Sequence, residues 1–436
     1  MSPIPFSGGW PRNPGWQPFF ATLKEPRDAA SLARWRDARL SRILAHARQE
    51  VPMFQRISPK DAGGLGDLHR YPILNRRDYQ QAGVADRLAR TAREDTLLDR
   101  STSGSTGERL AIRRTWLEER LLNCFRWRVS RTYGVGPRDR IVDALFRVDT
   151  DPRDDQRLAR LAMALGWRRV LVVDALGDDW AADKTARFAP HCLTGMTSGV
   201  AALVETISRK GLLCSPRLVV TGGELLTAPL RAQIASLGSP IRDVYGSNEF
   251  NLLAWECPHG AGTYHVCDDA VVLEVVGPDG KAVEVGQTGE VVVTGLHSFA
   301  MPFIRYRIGD LAVKGPDRCP CGSPFSTLLE IHGRTIDIFH LAGGIKLHPW
   351  TIHNAVRPWL AIVRQACLVQ VAPDRLEYLV VATREMGKAE EASISAAAQA
   401  ALPVGISFAL RRLASIPAGP GGKARPFVTM DQYAKS

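Results

Sequence analysis

The sequence predicts an α/β protein in two parts. A large N-terminal domain, residues 1–333, combines mostly parallel, helix-covered sheet with a β-barrel-like unit, and residues 334–436 form a small α+β C-terminal domain. Three observations predict this. From Asp139 to Tyr245, short β-branched runs alternate with helical patterns, the rhythm of a parallel sheet. After Trp255 the pattern changes to strands joined by turn signals, which reads as antiparallel β. Near Gly333 it breaks again into a short strand-and-helix segment.

Taken in order, Arg27–Glu50 carries apolar residues at helical spacing (Leu32, Trp35, Leu40, Ile43, Leu44 and Ala47), and Thr115–Arg131 reads as a second helix. Strands are expected at Asp139–Leu145, Arg169–Asp174, Arg217–Thr221 and Ile241–Tyr245. Helices are expected between them at Gln156–Leu165, Gly199–Arg209 and Leu230–Leu237. Val271–Val276 and Glu290–Thr294 are strands, and Gly277-Pro278-Asp279-Gly280 between them is a turn signal. The C-terminal part holds strands at Gln365–Val371 and Tyr378–Thr383, then a helix over Ala389–Ala401. No internal repeat is present.

A chain of 436 residues exceeds one ordinary core, and 45% hydrophobic residues supply ample apolar material. The net charge of +11 is spread over scattered arginines and forms no compact basic block. It reads either as a solvated basic surface or as steering of polyanions such as ATP or CoA. No helix-turn-helix or aromatic–basic motif accompanies the charge, which argues against nucleic-acid binding. No apolar run approaches membrane-spanning length, and Met1–Phe20 lacks the pattern of a signal peptide, so no membrane association is expected. Eight unevenly spaced cysteines fit a reducing compartment, and the expected location is the cytoplasm.

Four stretches carry chemistry. Ser101-Thr102-Ser103-Gly104-Ser105-Thr106-Gly107 offers backbone N–H groups and hydroxyls without bulk, so it reads as a phosphate-wrapping loop or as a plain linker. It lacks the Gly-Lys-Ser/Thr ending of a P-loop. Tyr245-Gly246-Ser247-Asn248-Glu249 follows a strand; an aromatic there can stack on a base and a carboxylate can hold Mg²⁺, or the segment is simply a tight turn. In Ile304–Leu311, Asp310 can accept hydrogen bonds from a ribose diol, while Arg305 or Arg307 either pairs with a phosphate or makes a structural ion pair. Lys423, in the Gly/Pro-rich run Pro417–Lys423, can neutralise transition-state charge or merely be solvated.

The order and spacing of these four resemble the adenylate-forming (acyl/aryl-CoA synthetase) superfamily, most closely its phenylacetate–CoA ligase-like branch. The resemblance runs from about residue 35 to residue 430. It extends to Ile43–Ala47 with Val51-Pro52-Met53-Phe54, to Thr221-Gly222-Gly223-Glu224, to the hinge-like Gly333-Arg334-Thr335-Ile336-Asp337 and to Gly344–Pro349. It implies that the N-terminal domain binds ATP and the acid, and that the C-terminal domain is mobile and carries the catalytic lysine. By the same resemblance, Ser101–Gly107 would hold the β,γ-phosphates, and Gly222, Gly223 and Glu224 would contact adenine. Tyr245 would stack on adenine within Tyr245–Asn248, and Glu249 would bind Mg²⁺. Asp310 and Arg334 would hold the ribose, and Lys423 would stabilise attack on the α-phosphate. The implied reaction converts a small carboxylic acid to an acyl-adenylate and pyrophosphate, then passes the acyl group to CoA. The alternative acceptor is an amine or a carrier-protein thiol, as in secondary metabolism. A homodimer is implied by the resemblance alone.

Cys257, His265, Cys319 and Cys321 form a further constellation. Three sulfurs and an imidazole suit tetrahedral Zn²⁺, although the Cys-x-Cys pair is closer than the usual spacing; the other reading is three separate thiols and a surface histidine. The same branch carries cysteines and a histidine at matching places, which implies a structural zinc, with His259 as the substitute ligand. The remaining cysteines, Cys124, Cys192, Cys214, Cys267 and Cys367, read as small core residues.

Several positions depart from the family. Glu108 replaces a lysine after the phosphate loop, Asn248 a Thr or Ser, and Ile336 a polar hinge residue; His353 stands in place of a Glu and Gly422 in place of a Ser. The acyl pocket is expected among Phe146, Met196, Thr197, Gly222, Gly246 and Ser247, small residues beside one aromatic that suit a flat aryl acid.

Overall fold

The computed structural model describes residues 28–101, 110–136, 138–145, 169–174, 179–260, 262–334, 339–347, 349–416 and 427–430. Helix α1 (Ala29–Glu50) starts at Asp28, whose Oδ1 accepts from the Ser31 N–H at 2.7 Å, and it buries Leu32, Leu40, Ile43, Leu44 and Ala47. It ends at Val51, whose extended backbone is what the following Pro52 demands. Trp35, on the edge of the apolar stripe, keeps 36% of its surface and carries the Arg39 guanidinium over its ring.

Strands β1 (Leu97–Ser101) and β2 (Ala111–Thr115) pair antiparallel, with Ser101 opposite Ala111. Helix α2 (Trp116–Thr132) follows directly. Thr115 and Glu118 close a capping box at its start. The other oxygen of Glu118 accepts from the Phe299 and Ala300 N–H groups at 2.6 and 2.9 Å, tying the helix to the β-rich region.

The parallel sheet comprises β3 (Arg140–Leu145), β4 (Arg169–Asp174), β5 (Cys192–Met196), β6 (Leu218–Gly222) and β7 (Ile241–Tyr245), in the order β4-β3-β5-β6-β7. Helices α3 (Asp179–Phe188), α4 (Thr197–Arg209) and α5 (Ala228–Ala235) follow β4, β5 and β6. Their apolar faces, including Val200, Leu203, Val204 and Ile234, close over Val142, Ala144, Leu193 and Val219 on one side of the sheet. On the other side, the end of α2 meets Ile141, Cys192 and Leu218 through Tyr133 and Val135. The helix expected at Gln156–Leu165 lies outside the described residues.

The antiparallel strands are β8 (Ala254–Glu256), β9 (Tyr264–Val266), β10 (Val271–Val276), β11 (Thr288–Gly295), β12 (Tyr306–Lys314) and β13 (Thr327–Arg334). They extend the parallel sheet rather than stand beside it: β8 pairs antiparallel with β7, and the eleven strands run β10-β11-β12-β13-β9-β8-β7-β6-β5-β3-β4. The short connection from β7 back to β8 makes this continuity possible. Residues 339–428 build their own core. It comprises the ribbon β14 (Phe339–His340) and β15 (Lys346–Leu347), the strands β16 (Val363–Ala372), β17 (Arg375–Ala382), β18 (Ser407–Arg412) and β19 (Phe427–Val428), and helix α6 (Lys388–Ala400). Leu225 from the β6–α5 turn packs against that core, and Arg364 forms an ion pair with Glu205 of α4. No described helix is long and apolar enough to cross a membrane.

Buried His297 joins α1 to the β-rich region. Arg39 Nη2 lies 2.7 Å from its Nδ1, and its Nε2 lies 2.8 Å from the Asp269 carbonyl, so the neutral Nε2–H tautomer satisfies both contacts. Burial, and then the Arg39 charge, pull its pKa from 6.5 to about 4. A base depressed in the folded state stabilises the fold above its unfolded pKa, and that contribution is lost as pH falls from about 6.5 to about 4, about 3 kcal/mol in all. Urea denaturation from pH 7 to pH 4 should show a shallower loss of stability for His297→Gln than for the parent. Parallel pH profiles would remove His297 as the cause.

Candidate active site

The carboxyl ends of the parallel strands lie side by side: Met196 pairs with Gly222, and Gly222 with Val244. Small residues here are required by close backbone approach. A Cβ on Gly222 would sit 2.7 Å from the Val244 carbonyl oxygen, and one on Gly246 would sit 2.1 Å from the Asn251 carbonyl oxygen. Gly223 has φ +77°, and Met196 closes over it. The Gly222–Glu224 turn is braced from the start of α4. Fully buried Thr197 donates from Oγ1 to the Glu224 carbonyl at 3.1 Å, and Ser198 donates from N and Oγ to Glu224 Oε2 at 2.8 and 2.6 Å. Glu224 Oε1 and Ser247 Oγ are buried at this edge without a hydrogen-bond partner among the described residues, an arrangement that costs about 1–3 kcal/mol each unless another group satisfies them.

Glu249 sits in the turn after β7, only 7% exposed. Its Oε1 accepts from the Tyr306 hydroxyl at 3.2 Å, and Oε2 takes no hydrogen bond among the described residues. A carboxylate with one oxygen held and one open suits a Mg²⁺ that keeps most of its ligands from phosphate and water. Burial, and then the Glu249 carboxylate, keep the Tyr306 hydroxyl protonated far above its ordinary range. The β1–β2 ribbon is fastened to this turn by Arg114, whose Nη2 donates to the carbonyls of Asn248 and Glu249 at 2.5 Å each. Arg114 Nη1 also reaches Glu119 Oε2 at 3.1 Å, and Arg100 reaches Glu119 Oε1 at 3.3 Å. Burial works against the Glu119 charge, but Arg114 and Arg100 more than offset it and hold that carboxyl below its usual range. The ribbon end at Ser101, from which the Ser/Thr/Gly run leaves, is thus anchored to the segment bearing Glu249.

Tyr245 and Asp310, far apart in sequence, meet directly: the Tyr245 hydroxyl donates to Asp310 Oδ2 at 2.7 Å. In the β12–β13 ladder Asp310 lies opposite Arg334. The backbones of these two residues, 24 positions apart, are therefore neighbours. Arg305 and Arg307 are the structural ion pairs among the readings their motif allows. Arg305, 4% exposed, reaches Glu274 through Nε and Nη2 at 3.1 and 3.0 Å and donates to the His69 and Tyr71 carbonyls. Arg307 pairs with Glu290 at 2.8 Å. Thr102–Gly107, Glu108, Phe146, Ile336, Gly422 and Lys423 lie outside the described residues, as does the Arg334 side chain. Arg114 and Glu119 escaped the sequence reading, since nothing local marks them. Tyr306 stood inside the quoted motif and could have been found.

The four predicted metal ligands converge. One ligand atom each from Cys257, His265, Cys319 and Cys321 lies within 4.8 Å of every other. Cys257 follows β8, His265 lies in β9, and Cys319 and Cys321 come from the β12–β13 connection. The Cys257 and Cys319 sulfurs are 3.9 Å apart, close to the ~3.8 Å that two thiolates take around one tetrahedral Zn²⁺. Cys321 Sγ is 3.4 Å from His265 Nε2, so the second histidine, His259, is not needed. The donor set and its spacing fit a closed structural zinc. The other five cysteines are buried and outside any disulfide among the described residues.

Residues flanking these ligands reach the carboxyl edge of the parallel sheet. Glu256 Oε2 accepts from the Asp243 N–H at 2.9 Å, and Tyr264 donates to Asp243 Oδ2 at 2.9 Å. Asp243 Oδ1 accepts from Thr221 Oγ1 at 2.6 Å. Asp243 stands two residues before Tyr245, and burial pushes its pKa up to about 7.

No family model matches the chain. It is 27% identical over 399 residues to a phenylacetate–coenzyme A ligase of Thermus thermophilus, covering 87% of this chain and 83% of that protein. It is also 27% identical over 357 residues to the phenylacetate–coenzyme A ligase of Escherichia coli, covering 77% of this chain and 79% of that one. Among solved structures, 2-hydroxyisobutyryl-CoA ligase in its postadenylation state superposes with a TM-score of 0.77 at 21% identity, covering 94% of this chain and 92% of that one.

Proposed function

The chain is related to the phenylacetate–coenzyme A ligases, and on that premise we propose that it is an AMP-forming acid–thiol ligase for a small carboxylic acid, aryl or small acyl. The acid's carboxylate oxygen attacks the α-phosphorus of ATP, the α–β bond breaks, and pyrophosphate leaves. The thiolate of CoA then attacks the acyl carbon and AMP leaves. The observation that carries this reading is the contact between Tyr245 and Asp310 at 2.7 Å, with Glu249 four residues beyond Tyr245 and Arg334 opposite Asp310. Three distant segments meet at the carboxyl edge of a parallel sheet, where such folds bind nucleotides.

In this reading Tyr245 stacks on adenine beside the Gly222–Glu224 turn, and Asp310 and Arg334 hold the ribose. The Ser101–Gly107 run takes the β,γ-phosphates, and Lys423 stabilises charge at the α-phosphate. Mg²⁺, held through Glu249, supplies neutralisation of phosphate charge. Zn²⁺ held by Cys257, His265, Cys319 and Cys321 is structural. The enzyme is read as cytoplasmic, and as a homodimer on the family resemblance of its sequence alone.

Pyrophosphate release from ATP, measured across a panel of aryl and alkyl acids with and without CoA, tests the proposal. An acid-dependent release with accumulation of an acyl-CoA is expected. Release that is discharged only by an amine or a carrier-protein thiol would replace CoA with the alternative acceptor, and no release with any acid would overturn the reading.

A further inference from the structure

The proposed reaction takes two nucleotides. ATP occupies the carboxyl edge of the parallel sheet in that reading. This leaves the nucleotide end of CoA, an adenosine with a diphosphate and a 3′-phosphate, without a place.

One face of α1 has the composition to receive it. Trp35, Arg39, Arg42 and His46 follow one another at helical spacing and form a single stripe. Phe299, from the loop after β11, lies against that stripe. The Arg39 and Arg42 guanidiniums stand 5.9 and 5.6 Å from its ring centroid. The His46 ring meets it edge-on at 5.1 Å, and His46 Nε2 lies 2.9 Å from its carbonyl oxygen. Arg39 also stands 5.5 Å from the Trp35 ring centroid. Trp35 and Arg42 are exposed, and Arg39, His46 and Phe299 are half-buried, so the stripe is open among the described residues.

The charges of this stripe are not balanced as others in the protein are. Arg114, Arg128 and Arg305 each pair with a carboxylate, respectively Glu119, Asp269 and Glu274. No carboxylate pairs with Arg39 or Arg42 among the described residues. Arg39 Nη2 meets His297 Nδ1, a neutral acceptor, at 2.7 Å, and Arg39 Nε is buried without a partner among the described residues. Glu118, the carboxylate beside Phe299, commits Oε1 to the Phe299 and Ala300 N–H groups and Oε2 to the Thr115 N–H. Like charges three residues apart slightly destabilise a helix, so an anion between them is favoured. Guanidiniums grip phosphates bidentately, and an accessible aromatic ring stacks on a base.

The stripe is also within reach of the reacting atoms. Phe299 precedes Tyr306, the residue that holds Glu249, by seven positions, about 24 Å of chain at full stretch. A second link is shorter: Glu118 holds Phe299, and Arg114, four residues before Glu118, holds the Glu249 carbonyl. CoA carries its thiol at the end of a long pantetheine arm, so its nucleotide end binds at such a remove from the acyl carbon.

Resting on the CoA-ligase reading, we propose that Arg39 and Arg42 receive the phosphates at the nucleotide end of CoA, with its adenine against Trp35.

Equilibrium dialysis of CoA against the full chain measures the site directly, and acyl-CoA formation measures its use. Arg42→Glu is the diagnostic variant, because Arg42 is exposed and the buried residues of α1 are left intact; Arg42→Lys keeps the charge. The parent should bind CoA at least about tenfold more tightly than pantetheine, which lacks every phosphate. Adenosine 3′,5′-bisphosphate should displace CoA, and inorganic phosphate at the same concentration should not. Arg42→Glu should raise both Kd and KM for CoA by about tenfold or more and flatten their rise with added salt, and Arg42→Lys should recover most of that loss. A parent that binds CoA and pantetheine equally overturns the inference. So does displacement by inorganic phosphate at the same concentration, which would make the stripe a general anion surface. A KM for ATP, read from pyrophosphate release without CoA, that rises by the same factor in Arg42→Glu also overturns it, since a damaged fold would do that. If Arg42→Glu does not fold, Trp35→Leu, which removes the base platform, must still lower the preference for CoA over pantetheine. Acyl-CoA formation with an unchanged KM for CoA in Arg42→Glu sinks this inference alone. No pyrophosphate release with any acid sinks the ligase reading, and dialysis then still decides the site.

Discussion

Glu249→Gln is expected to lower ATP-dependent pyrophosphate release by about two to three orders of magnitude, the loss typical when one preorganised group that stabilises transition-state charge is removed. The expectation follows from how the carboxylate is held. Tyr306 occupies Oε1, and Arg114 fixes the backbone of the same turn, so Oε2 is presented by a rigid frame. Glutamine keeps an oxygen for the Tyr306 hydroxyl, so the variant should fold with a stability change below about 1 kcal/mol, which a thermal melt checks. What it loses is the negative charge. Release measured as a function of Mg²⁺ at saturating acid should therefore show both a lower plateau and a weaker response to Mg²⁺. A variant with the parent's plateau and Mg²⁺ response would remove Glu249 from the metal and from the chemistry. The same experiment separates Glu249 from Glu224, whose Oε2 is already committed to Ser198.

The motifs around Tyr245, Glu249 and Asp310 could be read from the sequence because each is a short run of distinctive residues. Their contact could not. It depends on β12 pairing with β13 and on β8 folding back beside β7, long-range choices that leave no local trace. The alternation of strands and helices before Tyr245 was legible, since a parallel sheet needs a crossover after every strand. That the antiparallel strands continue the same sheet was not, because strand periodicity is silent about which edge a strand joins. Arg305 and Arg307 illustrate the limit for charged residues. One motif allowed a phosphate ligand or an ion pair, and the choice rests on Glu274 and Glu290, each from a different strand. Arg114 was invisible for the same reason: its partners, Asn248 and Glu249, lie more than a hundred residues away.

Cys257→Ser should release one zinc per chain and lower the melting temperature far more than a buried Cys→Ser change elsewhere, such as Cys367→Ser. Structural zinc sites contribute about 10–16 kcal/mol of apparent binding energy, so a three-ligand remnant is expected to lose most of its metal at micromolar chelator concentrations. Metal content by mass spectrometry and thermal melts with and without chelator check this, and a chain that carries no metal and melts identically with chelator would refute it. The consequence reaches the proposed nucleotide site by a specific route. Glu256 adjoins Cys257 and Tyr264 adjoins His265, and these two residues grip Asp243 from the β8–β9 hairpin while Thr221 holds it from β6. Asp243 lies on β7 two residues before Tyr245, so loosening the hairpin frees the strand that aims Tyr245 at Asp310. The metal-depleted protein should therefore show a raised KM for ATP before its fold is lost. A chelator-treated sample with normal KM for ATP but reduced stability would confine the metal to holding the hairpin alone.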